Sequence, residues 1–122
     1  MLTGRKVVAV VDDDPSMLKA IARLLGVHGF DAEVFESAEA FLRRDAAKEA
    51  AVLVLDIHLG GMSGIELRRR LTDSGSRLPI IFITAVDDEV TQQEAVAAGC
   101  VAHLRKPFPA TQLIGAIQAA TG

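Results

Sequence analysis

Three observations in the sequence predict an α/β domain built on one doubly wound parallel sheet. Strand-like and helix-like segments alternate five times along the chain, the pattern of a parallel sheet flanked by helices. Three strand-like segments, 7–11, 52–55 and 80–83, are unbroken apolar runs, as strands covered on both faces require. Each of these runs meets a polar residue at its carboxyl end: Asp12, Asp56 and Thr84.

Taken in order, the first run leads into Asp12-Asp13-Asp14, and Pro15 suits the first position of a helix with Asp14 as N-cap. Leu18, Ile21, Leu24 and Leu25 form one helical stripe, and His28-Gly29 supplies the stop. Residues 32–35 alternate, so this strand is covered on one side or lies at an edge. Ser37 caps a short helix carrying Phe41 and Leu42. The third strand ends at Asp56 and a glycine-rich loop. Residues 64–73 then read as a helix offering Ile65, Leu67 and Leu71 to the core. Leu78-Pro79 introduces the fourth strand, and a helix over 88–98, starting at Asp88, is closed by Gly99. A short mixed strand over 101–104 precedes Arg105-Lys106-Pro107-Phe108, and a last helix over 110–120 shows Leu113, Ile114 and Ile117 on one face. The three continuous apolar runs belong in the middle of the sheet and the two mixed strands at its edges. Right-handed crossovers then give the order 2-1-3-4-5. The chain reverses direction between strands 1 and 3, which opens a crevice at their carboxyl ends.

The 122 residues make one domain, 1–122, with a core of ordinary globular composition. A net charge of −3 argues against direct nucleic-acid binding, which calls for a basic excess. Arg68-Arg69-Arg70 reads as a solvated helical face. Cys100 is the only cysteine, so neither an internal disulfide nor a cysteine metal cluster can form, and a small buried core residue is expected there. No apolar stretch approaches the ~18 residues of a membrane span. The start Met-Leu-Thr-Gly-Arg-Lys runs straight towards the first strand without signal-peptide character. A soluble, cytoplasmic protein without membrane contact is expected.

A single aspartate leaving a strand is usually a turn former or helix cap. Asp12, Asp13 and Asp56 converging on one crevice demand more. Carboxylates so crowded repel by about 4 kcal/mol per pair at 4 Å and an effective dielectric of 20. Raised pKa values or a bound cation relieve this. An all-oxygen set on strand ends suits Mg²⁺ or Mn²⁺, with the backbone carbonyl of His58 as a further ligand and its imidazole left as a surface group. Lys106, at the end of strand 5, faces the same crevice, and Thr84 lies between. The Lys106–Pro107 bond can be cis in a tight turn, which would re-aim the lysine. Acids, hard cation, ammonium and hydroxyl together suit a phosphoryl group attacked in line by a carboxylate. Asp56, the lone acid on its strand, is the expected nucleophile, with Asp12-Asp13 holding the metal.

The chain resembles the receiver domain of bacterial two-component response regulators, from Val7 to about Ala120. The resemblance rests on Val-Asp-Asp-Asp (11–14), Leu-Asp-Ile-His-Leu-Gly-Gly-Met-Ser-Gly-Ile-Glu-Leu (55–67), Ile-Thr-Ala (83–85) and Lys-Pro-Phe (106–108). It implies a flavodoxin-like (βα)5 fold, with Asp56 as phosphoacceptor and Asp12 and Asp13 as Mg²⁺-binding acids. Thr84 resembles the switch hydroxyl, Lys106 the phosphate-contacting lysine, and His103 stands at the switch aromatic position. The phosphoryl donor implied is a sensor histidine kinase or phosphotransfer protein. Helix 4, strand 5 and helix 5 would form the signalling face, with an activation-linked homodimer. Such a domain catalyses only its own phosphorylation and dephosphorylation. The segment from Met62 to Leu71 is most like receivers that precede a helix-turn-helix output domain in transcriptional regulators. Two positions depart from the family: Gly60 replaces a frequent proline, and His103 replaces the usual Tyr or Phe. An exposed histidine on an edge strand is the other reading of His103.

Readings outside signalling have less support. An aspartyl-phosphate phosphatase of the haloacid-dehalogenase type carries a second acid where this chain has His58. A nucleotide-binding module lacks both G-x-x-x-x-G-K-[ST] and G-x-G-x-x-G here.

Overall fold

The computed structural model describes residues 5–85 and 89–122. In chain order the elements are β1 (Val7–Val11), α1 (Pro15–Val27), β2 (Asp31–Phe35), α2 (Ala38–Arg44), a 3-10 turn (Ala46–Lys48), β3 (Val52–Asp56), α3 (Gly64–Asp73), β4 (Ile80–Thr84), α4 (Glu89–Ala98), β5 (Ala102–Arg105) and α5 (Ala110–Thr121). The strands form a parallel sheet in the order β2-β1-β3-β4-β5, as expected.

The unbroken apolar runs have a direct cause: the sheet carries a core on each face. Val8, Val10, Val52, Val54, Ile81 and Ile83 turn towards Leu18, Ile21 and Leu25 of α1 and Leu113, Ile114 and Ile117 of α5. Their neighbours Ala9, Val11, Leu53, Leu55, Ile80 and Phe82 turn to the other face, against Phe41 of α2, Ile65, Leu67 and Leu71 of α3, and Ala95 of α4. Period-two alternation thus buries every residue of β3 and β4. β2 lies at the edge, and its residues alternate between half-buried and exposed.

Helix starts follow the caps read from the sequence. Asp14 Oδ1 accepts from Ser16 N (2.9 Å) with Pro15 next in line, and Ser37 Oγ accepts from Ala40 N (3.0 Å). Some details differ from the sequence reading. β5 begins at Ala102, paired with Ile81; Val101 N–H does reach Ile80 O (2.9 Å), but its side chain is 58% exposed. α5 runs one residue further, to Thr121, whose hydroxyl donates to Ile117 O (2.8 Å). The 3-10 turn, entered through Asp45 at φ 55°, carries no periodic signal. The expected start of the fourth helix at Asp88 lies outside the described residues; the helix is described from Glu89.

Candidate functional site

Strand register brings the polar ends together. Val11 pairs with Leu55, so Asp12 and Asp56, the next residue of each chain segment, stand level. Asp56 pairs with Ile83 and Thr84 with Arg105, which places Thr84 one step beyond Asp56 and Lys106 one step beyond Thr84. Lys106 N also donates to Thr84 O at 2.7 Å. Asp12, Asp56 and Thr84 are buried, while Asp13 is exposed. Carboxylate oxygens of Asp12, Asp13 and Asp56 lie within 4.8 Å of one another.

Lys106 spans the cluster. Its Nζ donates to Asp12 Oδ2 at 2.7 Å and to Asp56 Oδ2 at 3.2 Å, with the lysine side chain 15% exposed. The remaining oxygens are also engaged: Asp12 Oδ1 accepts from Asp14 N (2.9 Å) and Asp56 Oδ1 from His58 N (3.1 Å). Burial pushes the Asp56 carboxyl above its ordinary range, and the Asp12 charge adds to this; Lys106 and the His58 N–H work against it without cancelling it. Burial works against the charged form of Lys106 too. Its hydrogen bond to Asp12 and the charges of Asp56 and Asp12 together outweigh that, and its pKa is raised. A buried carboxylate, a fixed cation and two further acids therefore meet at the carboxyl edge of the sheet, where such folds bind ligands. Three hard oxygen donors so close together fit a small divalent cation.

The other predicted positions fall into place unevenly. The His58 imidazole is exposed, as expected. The Lys106–Pro107 peptide is cis. His103 pairs with Phe82, two rungs before Thr84. Ala102 and Leu104 pack on the α1/α5 core, so alternation turns His103 to the α3/α4 face, the face of Phe82 and Thr84. It is half-buried, and its Nε2 is enclosed with no hydrogen-bond partner among the described residues. The reading of an exposed edge histidine is corrected accordingly. Arg68 also departs from the solvated face expected of the arginine run. Its Nε donates to Gly99 O (3.0 Å) at the end of α4, while Arg69 and Arg70 remain exposed. Cys100 is half-buried against the α3/α4 core rather than fully enclosed.

Two residues at this site carried no functional signal in the sequence. Glu39, on α2, accepts Met62 N–H at 3.0 Å across 23 residues of chain. Gly64 read only as the start of a helix, yet a Cβ there would stand 2.3 Å from the Asp56 carbonyl oxygen, so only glycine lets α3 begin this close to the acid. Of the two glycines that follow Leu59, Gly61 is the left-handed one, at φ 78°.

Comparison with known proteins agrees with the geometry. The response regulator receiver domain matches residues 8–118. The response regulator protein TodT of Pseudomonas putida is 37% identical over 114 residues, covering 93% of this chain and 50% of TodT. The transcriptional regulatory protein FixJ of Rhizobium meliloti is 40% identical over 114 residues, covering 93% of this chain and 56% of FixJ. The chain thus spans about half the length of the curated relatives it matches. A receiver protein from Burkholderia phymatum of solved structure superposes with a TM-score of 0.85 at 40% identity, covering 97% of this chain and 96% of that one. With this fold, this strand order and these matches, the chain belongs to the response regulator receiver domain family.

Proposed function

We propose that residues 1–122 form one receiver domain, a signalling switch that accepts a phosphoryl group on Asp56 from a sensor histidine kinase or phosphotransfer protein. The observation that carries this reading is the Lys106 ammonium seated between Asp12 and Asp56 at 2.7 and 3.2 Å. An Asp56 carboxylate oxygen attacks phosphorus and forms the acyl phosphate; the bond from phosphorus to the donor nitrogen breaks, and its electron pair stays on the donor imidazole. Lys106 carries the positive charge that meets the transferred group's equatorial oxygens. Asp12, Asp13, Asp56 and the His58 carbonyl would hold Mg²⁺, or Mn²⁺ by the same oxygen chemistry. That ion supplies charge neutralisation for the phosphoryl oxygens. The Thr84 hydroxyl turns towards the acquired phosphoryl group, and His103, on the same face of the sheet, follows it inward.

The output passes through α4, β5 and α5 to a partner or output domain, and activation favours a homodimer. Exposed Val90 and Val101, together with the open edge of β5, support that face. The likeness to TodT and FixJ favours a place in a helix-turn-helix transcriptional regulator. We read the domain as cytoplasmic, touching neither membrane nor nucleic acid itself, and as no enzyme beyond its own phosphorylation chemistry. The net charge of −3 supports the second of these, and no helix among the described residues is long and apolar enough to cross a membrane.

Acetyl phosphate with Mg²⁺ tests the reading. One phosphoryl group should appear by intact mass, chelation should abolish it, and Asp56→Asn should stay unmodified. A fully modified Asp56→Asn protein would place the nucleophile elsewhere.

A further inference from the structure

The loop between β3 and α3 contains two consecutive glycines, Gly60 and Gly61. Glycine loses more backbone freedom on ordering than any other residue, so this loop is costly to hold in one shape. It is nevertheless tied down on both sides of the glycines. His58 N donates to Asp56 Oδ1 (3.1 Å), Gly64 N to Ile57 O (2.9 Å), and Ser63 Oγ accepts from Glu66 N (3.1 Å) as the cap of α3. The remaining tether comes from another element. Glu39 Oε2 accepts Met62 N–H at 3.0 Å, and the left-handed Gly61 passes so close that a Cβ there would meet the same oxygen at 2.8 Å. A hydrogen bond from an amide to an ionised carboxylate is roughly twice as strong as a neutral one. The Met62 N–H is the chief reason that the Glu39 carboxyl lies below its ordinary range, so the acceptor is charged at neutral pH.

We propose that Glu39 is a positioning residue for the acidic site: by holding Met62 it sets the path of the Gly60-Gly61 loop, and with it the placement of the His58 backbone beside Asp56. The proposal rests on the reading of Asp12, Asp13, Asp56 and the His58 carbonyl as the Mg²⁺ ligands. A loop ordered before the cation arrives takes nothing from the cation's affinity, whereas a loop ordered on binding does. Glu39 acts one step further out than a group bonded to a ligand, through the loop that carries His58.

The test compares wild type with Glu39→Ala, Glu39→Gln and Glu36→Ala. Glu36 is an exposed carboxylate three residues earlier, so its variant controls for the simple loss of negative charge. The chain has no Trp or Tyr, so Mg²⁺ binding is followed by amide chemical shifts of the unphosphorylated, labelled protein. Glu39→Ala should weaken Mg²⁺ binding about tenfold, the lower end of what losing an outer partner costs. Glu39→Gln, which keeps an acceptor oxygen, should fall between it and wild type, and Glu36→Ala should bind normally. Hydrogen exchange at the Met62 amide should quicken in Glu39→Ala. Wild-type Mg²⁺ affinity in Glu39→Ala overturns the proposal, as does an equal loss in Glu39→Ala and Glu36→Ala. A wild-type protein that binds no Mg²⁺ overturns the ligand reading and the proposal with it, and this shows before any variant is compared.

Discussion

Gly64→Ala tests how tightly α3 is set against the end of β3. A Cβ at this position would lie 2.3 Å from the Asp56 carbonyl oxygen, roughly 1 Å short of the 3.4 Å at which ordinary contact begins, and 3.0 Å from Ile57 Cα. The obstacles are backbone atoms, so no rotamer change clears them. Asp56 is held in register with Ile83, Gly64 N donates to Ile57 O, and Ile65, Leu67 and Leu71 anchor α3 in the core. Overpacking typically costs about 1–3 kcal/mol, and rigid surroundings place this substitution near the upper figure. The displaced Asp56 should also react about 100-fold more slowly with acetyl phosphate, the loss expected from a misplacement near 1 Å. Gly60→Ala is the matched control. Nothing lies within 4 Å of a Cβ there and the residue is not left-handed, so stability should stay within about 0.5 kcal/mol of wild type. Urea denaturation followed by circular dichroism gives the stability, and intact mass against time gives the rate. Wild-type values of both in Gly64→Ala would mean that α3 slides without disturbing Asp56, and the reasoning would fail.

Two further substitutions probe the charges. Burial, with the Asp12 charge, raises the Asp56 pKa above its ordinary 3.8, so the folded state keeps a proton that the unfolded chain has already released. Stability from this group is present below 3.8 and lost as pH rises through the higher folded value. Asp56→Asn should therefore melt higher than wild type at pH 7, with the gap closing in acid; a lower melting temperature at pH 7 would contradict this sign. Lys106→Met leaves two buried carboxylates without their cation and should cost about 3 kcal/mol in urea denaturation at neutral pH. The raised Lys106 pKa means that its stabilisation is complete below 10.5 and lost as pH climbs through the folded value. Melting curves in that alkaline range should fall more steeply for wild type than for Lys106→Met, and parallel curves would refute the pairing.

Fold class, strand order and the residue types at the site are legible in the amino-acid order. Those features follow from local pattern. A strand covered on both faces must be apolar throughout, as 52–55 and 80–83 are, and helix starts are written in their caps at Asp14 and Ser37. Right-handed crossovers then leave little choice of topology, and topology alone carries Asp12, Asp56, Thr84 and Lys106 to one edge of the sheet. Tertiary structure decided how those groups meet. That Lys106 Nζ would divide itself between Asp12 and Asp56, 94 and 50 residues away, depends on side-chain reach across strands, which no periodicity encodes. The same holds for Glu39 against Met62, and for Arg68 leaving its basic run to bond Gly99 O. His103 shows the boundary most clearly. Its place on β5 was readable, but its rung opposite Phe82 and its enclosed Nε2 follow from strand register and from packing on the α3/α4 face. Gly64 is the converse case, a glycine legible only as a helix start until the Asp56 carbonyl oxygen was found where its side chain would be.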